Sequence, residues 1–215
     1  MAQIAPSVLA ADFSRLGDEI RDADSTGIDM FHLDIMDGHF VPNISYGPAV
    51  VEAIEKTTEK YLDVHLMLSE PGNFFEPFRK AGADNITFHI EVQPDPTEPA
   101  KILKHMGLNC GISLNPDTPI DTVLPFLRHF DYLLVMSVHP GFGGQMFIET
   151  ALNKISVARA YINEHKLTTK IQVDGGVDAD IAPRVVNAGA DILVMGTAYF
   201  KYHNRRELVE FIHGL

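Results

Sequence analysis

The stretch Ala188-Gly189-Ala190-Asp191-Ile192-Leu193-Val194-Met195 ends a helical pattern and begins a short apolar run. Glycine just past the end of a helix supplies the left-handed residue that the turn into a strand requires. Related junctions occur at Thr26-Gly27-Ile28-Asp29 and at Ala81-Gly82-Ala83-Asp84. These three junctions indicate an internal repeat in which a helix is followed by a strand.

Short apolar runs typical of strands alternate with amphipathic helical patterns along the chain. The predicted strands are Ile4–Ala10, Met30–Met36, Leu62–Leu68, Asn85–Glu91, Cys110–Leu114, Tyr132–Val138, Lys170–Asp174 and Ile192–Met195. Predicted helices include Phe13–Ser25, Pro48–Thr57, Phe74–Ala81, Thr150–Glu164 and Arg205–Ile212. Eight such βα units in 215 residues favour an α/β fold, a single (β/α)8 TIM barrel domain over residues 1–215, over an open doubly wound sheet. The proline-rich loop Val92–Pro99 is predicted to be a rigid surface turn.

Composition excludes several classes of partner. The net charge is −12 and no cluster of Lys and Arg occurs, so neither nucleic acid nor an anionic membrane is an expected partner. The one cysteine, Cys110, cannot form an internal disulfide, which fits a reducing compartment. The first residues lack a signal-peptide pattern and no apolar run is long enough for a membrane span, so we expect a cytoplasmic protein.

Histidines and carboxylates occur where predicted strands end. His32, Asp34 and Met36 share one face of a strand because side chains alternate, while His65 and Asp174 end two other strands. Any one of these residues is more often a hydrogen-bonded core group or a turn former. Together they favour a site for one divalent metal ion (Zn²⁺, Fe²⁺, Mn²⁺ or Co²⁺), because burying several such groups is costly unless they are paired or bound to a metal. His89 shares a face with Thr87 and Glu91, where a structural hydrogen bond is its expected role.

Glycine-rich turns follow the last three predicted strands, at Pro140–Gln145, Asp174–Val177 and Gly196–Ala198. Each alone could be an ordinary tight turn. Barrels commonly bind phosphate through the loops after strands seven and eight, using backbone N–H groups. None of the turns contains Lys or Arg, so the predicted donors are main-chain amides and the Thr197 hydroxyl. Nucleotide-binding glycine motifs are absent.

Several segments in combination resemble the ribulose-phosphate 3-epimerase family. They are Ala5–Ser7, His32–Asn43, Asp63–Met67, Pro140–Gln145 and Val173–Gly176. The resemblance implies a metal-dependent barrel that interconverts D-ribulose 5-phosphate and D-xylulose 5-phosphate in the pentose phosphate pathway. It further implies a homo-oligomer that acts on a small ketose phosphate.

The resemblance also implies roles for individual residues. The implied metal ligands are His32, Asp34, His65 and Asp174, and the acid and base are Asp34 and Asp174. The implied substrate contacts are Ser7, His65, Gly141, Phe142, Gly143, Gly144, Asp174, Gly175, Gly176, Gly196 and Thr197, with Met36, Met67 and Met136 lining the pocket. Two positions differ from the family pattern, because Thr197 replaces serine and His139 replaces asparagine or glutamate. The loop Gly141–Phe147 is a candidate lid.

Alternatives to this function remain at this point. A 3-epimerase of D-allulose 6-phosphate would use the same residues, and a non-catalytic sugar-phosphate-binding barrel would need no acid and base. Barrels of the orotidine-phosphate decarboxylase or hexulose-phosphate synthase type would show Asp-x-Lys-x-x-Asp on the third strand. The corresponding stretch, Asp63-Val64-His65-Leu66-Met67-Leu68, has neither that lysine nor the second aspartate.

Overall fold

A computed structural model describes residues 1–215 and contains one eight-stranded parallel sheet, with the strand order β1-β8-β7-β6-β5-β4-β3-β2. The strands are β1 (Gln3–Pro6), β2 (Met30–Met36), β3 (Tyr61–Met67), β4 (Asn85–His89), β5 (Asn109–Leu114), β6 (Tyr132–Met136), β7 (Lys170–Asp174) and β8 (Ile192–Met195). The α-helices are α1 (Leu16–Asp24), α2 (Pro48–Glu55), α3 (Phe75–Lys80), α4 (Thr97–His105), α5 (Thr150–Glu164), α6 (Ala182–Ala188), α7 (Thr197–Phe200) and α8 (Arg205–His213). None of the helices is long and apolar enough to cross a bilayer.

The sheet curls so that its two end strands, β1 and β2, meet. A parallel bridge joins Ser7, just after β1, to His32 on β2. At the other end of the same strands the Asp29 carboxylate accepts a hydrogen bond from the Ile4 N–H at 2.9 Å. Eight strands with helices between them in a nearly closed ring confirm the predicted (β/α)8 barrel.

Aspartates at the amino-terminal ends of four strands hold neighbouring strands in register. Each aspartate donates its N–H to a carbonyl oxygen in the preceding strand and accepts, through its carboxylate, from the N–H of that same residue. The pairs are Asp29 with Ile4, Asp84 with Leu62, Asp131 with Cys110, and Asp191 with Ile171. Three of these aspartates belong to the predicted repeat junctions, whose glycines have positive φ angles of 91° (Gly27), 99° (Gly82) and 116° (Gly189).

Several predicted boundaries were wrong. The first strand ends at Pro6 instead of Ala10, because the chain turns into a 3₁₀ helix at Val8–Ala10. The fourth ends at His89, before a 3₁₀ turn at Ile90–Val92, and the sixth at Met136. The turn predicted over Val92–Pro99 is partly helical, because α4 begins at Thr97. Between β5 and β6 the chain forms only 3₁₀ segments, at Ile120–Thr122 and Leu124–His129, so the fifth unit lacks an α-helix.

The barrel wall separates two environments. Side chains that point outward from β2, such as Phe31, Leu33 and Ile35, belong to a core of 52 buried apolar residues packed between strands and helices. The inward side chains of the same strand are Met30, His32, Asp34 and Met36, as the predicted alternation requires. The inside of the barrel is therefore partly polar, and its buried polar side chains include His32, Asp63, Asn85, Thr87, Ser113 and Gln172.

Candidate active site

The four residues predicted to bind a metal come together at the carboxyl ends of β2, β3 and β7. One ligand atom from each of His32, Asp34, His65 and Asp174 lies within 4.8 Å of the others. The two histidines are fully buried and Asp34 is nearly so, whereas Asp174 is half-buried. Strands distant in sequence supply these residues, and the barrel places their ends around one point.

Asp34 is at the centre of this cluster. Its Oδ1 lies 3.3 Å from His32 Nε2 and 3.1 Å from His65 Nδ1. Its Oδ2 accepts a hydrogen bond from Ser7 Oγ at 2.5 Å, which the bridge between β1 and β2 makes possible. Ser45 Oγ donates to the Asp34 carbonyl oxygen at 2.6 Å and so fixes the backbone there.

The orientation of His32 is set by a buried carboxylate. His32 Nδ1 lies 2.7 Å from Asp63 Oδ2, and Asp63 in turn accepts from Asn85 Nδ2 at 2.6 Å and from Gln172 Nε2. His32 Nε2 is buried and has no hydrogen-bond partner. A histidine that donates one ring N–H to a carboxylate and directs the other nitrogen at carboxylates has the arrangement of a metal ligand.

A second chain of contacts runs outward from His65. Its Nε2 lies 2.8 Å from His89 Nε2, and His89 Nδ1 lies 3.1 Å from Glu91 Oε2. The Asn115 N–H donates to the other oxygen, Glu91 Oε1, at 2.7 Å. Burial alone would raise the pKa of Glu91, but hydrogen bonds from His89 and Asn115 outweigh it and lower that pKa to about 2. Glu91 is therefore an anion at neutral pH.

The pKa values of the two central carboxyl groups are shifted in opposite directions. Burial raises the pKa of Asp34, but the adjacent imidazoles of His32 and His65 outweigh that effect and hold it well below its usual value. Burial and the neighbouring Asp34 charge raise the pKa of Asp174 to about 7. Burial also lowers the pKa of His65 to about 4, so that imidazole is neutral. Two carboxyl groups with separated pKa values are suited to act as an acid and a base.

The donor set fits a divalent cation. Burial disfavours the charged form of His32, yet the charges of Asp34 and Asp63 raise its pKa well above the usual value, so the cluster attracts positive charge. The unpartnered Nε2 of His32 and the facing carboxylates supply nitrogen and oxygen ligands. Zinc, iron(II), manganese and cobalt all accept such a mixture.

A cavity of about 390 Å³ opens above the cluster. Of the predicted site residues, those that line it are Ser7, Asp34, Met36, Met67, Met136, Gly141, Phe142, Gly143, Gly144, Asp174, Gly175, Gly176, Gly196 and Thr197. His32 and His65 do not line the cavity, because both are fully buried. The structure therefore gathers every predicted residue around one space and places the two histidines below its floor.

One end of this cavity is built from main-chain amides. The N–H groups of Gly143, Gly144, Gly176 and Gly196 donate no hydrogen bond within the protein. Gly176 has φ of 65°, and a Cβ there would lie 2.4 Å from the Phe147 nitrogen, so only glycine fits. No Lys or Arg lines the cavity. Unpaired N–H groups without a cation are suited to a phosphate group.

Sequence reasoning missed residues that shape the site from outside the cavity. Asp63 and Gln172 hold His32, and the signal that could have found them is their spacing of two residues from His65 and Asp174, which places them on the same strand faces. Asn43 Nδ2 donates to the Gly141 carbonyl at 2.6 Å and ties two loops together. His139, where the family pattern differs, is exposed, and its carbonyl accepts from the Gln145 side chain within the same loop.

Comparisons with known proteins agree with this geometry. The sequence profile of the ribulose-phosphate 3 epimerase family matches residues 3–200. The ribulose-phosphate 3-epimerase of Bacillus subtilis is 43% identical over 215 residues, which cover 100% of this chain and 99% of that protein. The chain belongs to the ribulose-phosphate 3-epimerase family. A second relative, the ribulose-phosphate 3-epimerase of Synechocystis sp., is 46% identical over 96% of this chain and 90% of its own.

Membership of the ribulose-phosphate 3-epimerase family makes the chain an enzyme, an epimerase. Orotidine 5'-phosphate decarboxylase from Pyrococcus horikoshii has the same fold, with a TM-score of 0.71 over 99% of this chain and 100% of that one. Only 16% of the residues are identical, so this likeness shows the barrel and no more.

Proposed function

We propose that this epimerase interconverts D-ribulose 5-phosphate and D-xylulose 5-phosphate with the help of one divalent metal ion. The observation that carries the proposal is the convergence of four ligand atoms within 4.8 Å at the floor of a cavity whose far end presents unpaired backbone N–H groups. The names of the relatives support the choice of substrate.

The two ends of the cavity bind the two ends of a ketose phosphate in this proposal. The phosphate accepts hydrogen bonds from the N–H groups of Gly143, Gly144, Gly176 and Gly196, and from the Thr197 hydroxyl. The sugar carbons extend toward Asp34 and the three lining methionines, Met36, Met67 and Met136, which offer polarizable contacts. Backbone donors suit a protein of net charge −12, which does not attract an anion by its overall field.

Epimerisation at C3 removes one proton and returns another to the opposite face. Asp34, ionised because its pKa is low, takes the proton in one direction. Asp174, in its protonated form, gives a proton back to the carbon; in the metal-free protein, burial and the Asp34 charge raise its pKa to about 7. In the reverse direction the two groups exchange roles. Ser7, hydrogen-bonded to Asp34 Oδ2, keeps that carboxylate oriented toward the cavity.

The residues that would hold the metal ion are His32, Asp34, His65 and Asp174. A divalent cation bound there supplies electrostatic stabilisation of the negative charge that develops on the sugar oxygens after proton removal. Asp63 accepts from His32 Nδ1, which leaves Nε2 as the nitrogen that would bind the metal.

Exchange of the C3 proton in D₂O, followed by NMR, tests the proposal. Metal-loaded and chelator-stripped protein are compared on D-ribulose 5-phosphate and on D-allulose 6-phosphate. We expect fast, metal-dependent exchange with formation of xylulose 5-phosphate on the first sugar. A preference for the second sugar would change the substrate and keep the mechanism, whereas no exchange on either would refute both substrates.

Variants at the carboxylates test the mechanism itself. Asp34→Asn and Asp174→Asn are each expected to abolish exchange, because each removes an acid or base and a metal ligand at once. Exchange that survives in Asp174→Asn would refute the two-carboxylate mechanism.

The family resemblance also implies a homo-oligomer, and we propose that the whole chain, residues 1–215, forms its one domain. Exposed apolar side chains occur at Ile44, Phe142 and Met146, with 75%, 57% and 89% of their surface accessible. Light scattering of the purified protein would give the number of subunits.

A further inference from the structure

We propose that Glu91 is a positioning residue that acts through His89 to fix the tautomer of the metal-binding histidine His65. The inference rests on the proposed metal centre and assigns a role to two side chains outside it. The three residues form what we call the Glu91 relay: Glu91, His89 and His65.

The contacts of the relay are geometrically suited to hydrogen bonding. His89 Nδ1 lies 3.1 Å from Glu91 Oε2, and His89 Nε2 lies 2.8 Å from His65 Nε2. The planes of the two imidazole rings are inclined by 25° with centroids 5.0 Å apart, and their Nε2 atoms make the close contact. Phe40 packs against His89 with ring centroids 4.6 Å apart, and both histidines are fully buried.

The positions of the protons follow from the carboxylate. An ionised carboxylate can only accept, so His89 Nδ1 carries a proton and donates it to Glu91. With a neutral imidazole, His89 Nε2 carries a lone pair, and His65 donates its own Nε2–H to it. His65 Nδ1 therefore carries the lone pair, and it is this nitrogen that lies 3.1 Å from Asp34 Oδ1.

This tautomer of His65 favours a cation beside Nδ1. A lone pair on His65 Nδ1 and a carboxylate oxygen of Asp34 repel each other at 3.1 Å unless a positive charge lies between or beside them. The relay therefore prepares His65 to bind a cation through Nδ1. Asp63 orients His32 in a similar way but by direct contact, because Asp63 Oδ2 lies 2.7 Å from His32 Nδ1. Both histidines of the proposed centre thus have their tautomers fixed by a carboxylate.

The outer oxygen of Glu91 is fixed independently of the histidines. The backbone N–H of Asn115 donates to Oε1 at 2.7 Å, and the Thr118 hydroxyl also donates to it. A backbone N–H cannot accept, so in Glu91→Gln the amide oxygen must stay at the Oε1 position. The amide NH₂ then faces His89 Nδ1, and donation along the relay reverses. His65 Nδ1 becomes protonated and faces the metal site with a hydrogen instead of a lone pair.

The test compares Glu91→Gln with wild type and with the control Glu70→Gln. Glu70 lies exposed in the segment after β3, and its carboxylate contacts only the Asn73 side chain at 3.2 Å, so the control removes one negative charge without touching the relay. Zinc and cobalt(II) affinities are measured by chelator competition, and the visible spectrum of the cobalt-loaded protein reports its ligands. Circular dichroism and thermal unfolding of the metal-free proteins check the fold.

We expect Glu91→Gln to bind zinc about 10- to 100-fold more weakly than wild type and to have an altered cobalt spectrum, and Glu70→Gln to match wild type. Equal zinc affinity and spectra in both variants would overturn the role of Glu91 and leave the proposed function standing. Wild-type protein that binds no metal would overturn both. Should Glu91→Gln fail to fold, ¹⁵N NMR of the zinc-loaded wild type decides, because the relay requires protons on His65 Nε2 and His89 Nδ1.

Discussion

Replacing Asp174 with asparagine should stabilise the metal-free protein while it abolishes catalysis. The Asp174 carboxyl group is half-buried beside the Asp34 carboxylate, and this burial and the Asp34 charge raise its pKa to about 7 from a usual value of 3.8. Between these pH values the folded protein holds a proton that the unfolded chain has released. Stability therefore falls as the pH rises from about 4 to about 7, and the loss is complete above that range.

The size of the effect follows from the pKa difference. A difference of about 3 pKa units corresponds to about 4 kcal/mol of unfolding free energy at 1.36 kcal/mol for each unit. The side-chain amide introduced by Asp174→Asn stays neutral at every pH and avoids this loss. For a chain of this size we expect the melting temperature of Asp174→Asn at pH 8 to exceed that of wild type by roughly 8–16 °C, with no difference near pH 4.

Thermal unfolding of chelator-stripped proteins between pH 4 and pH 8 measures the effect. Asp121→Asn is the control, because Asp121 is exposed and makes no side-chain hydrogen bond or ion pair. It is expected to change stability by less than about 0.5 kcal/mol. Added metal should remove this difference, since a ligand at 1,000 times its Kd stabilises wild type by about 4.1 kcal/mol. Parallel pH profiles for wild type and Asp174→Asn would refute the reasoning.

Three further predictions concern individual residues of the barrel. Gly176→Ala should lower the free energy of unfolding by about 2–4 kcal/mol, because φ is 65° and the new Cβ would meet the Phe147 backbone at 2.4 Å. Gly143→Ala, with nothing nearer than 3.9 Å, should change it by less than about 0.5 kcal/mol in the same urea titration. Asp63→Asn should weaken metal binding about 10- to 100-fold in chelator competition, because the N–H of His32 loses its charged carboxylate partner. Cys110, buried and with its pKa raised by burial to about 12, should resist iodoacetamide at pH 8 until the protein unfolds; rapid labelling of native protein would contradict this.

The fold could be predicted because its repeat has a local chemical cause. Gly27, Gly82 and Gly189 all adopt positive φ, which is a requirement of the turn and therefore visible in the sequence. The aspartate that follows two residues later clamps the neighbouring strand, a contact between distant residues that the sequence does not reveal. The fourth clamp, Asp131, was not recognised, because no glycine precedes it and the segment before it is a 3₁₀ helix.

The ends of strands were harder to predict than their existence. Pro6 and the residues after it continue the apolar pattern of β1, but the chain turns because Ser7 must reach both the bridge to His32 and the Asp34 carboxylate. At β4 the apolar Ile90 likewise extends the pattern beyond the strand, which ends at His89. Tertiary contacts at the mouth of the barrel decide these ends, and the local pattern does not contain them.

The inward-facing residues at the strand ends were predictable as a cluster, because strand alternation and barrel closure together place them at one mouth. The hydrogen bonds that connect this cluster to residues further from the cavity could not be predicted. His89 reaches His65 only because β3 and β4 pair with His65 opposite Thr87, which brings the following His89 toward the centre. Glu91 in turn reaches Asn115 across the ends of β4 and β5. Such contacts depend on register between strands, which periodicity alone does not specify.

The barrel itself does not determine the chemistry. The decarboxylase from Pyrococcus horikoshii has the same fold with 16% of its residues identical. The interior of this barrel contains ionisable side chains. Asp34, Asp63, His32 and His65 are all buried there, away from water. Burying these groups opposes folding unless hydrogen bonds or a cation compensate it. One nitrogen, His32 Nε2, has no such hydrogen bond, so the hydrogen bonds within the protein compensate this cluster incompletely and a bound cation would complete it.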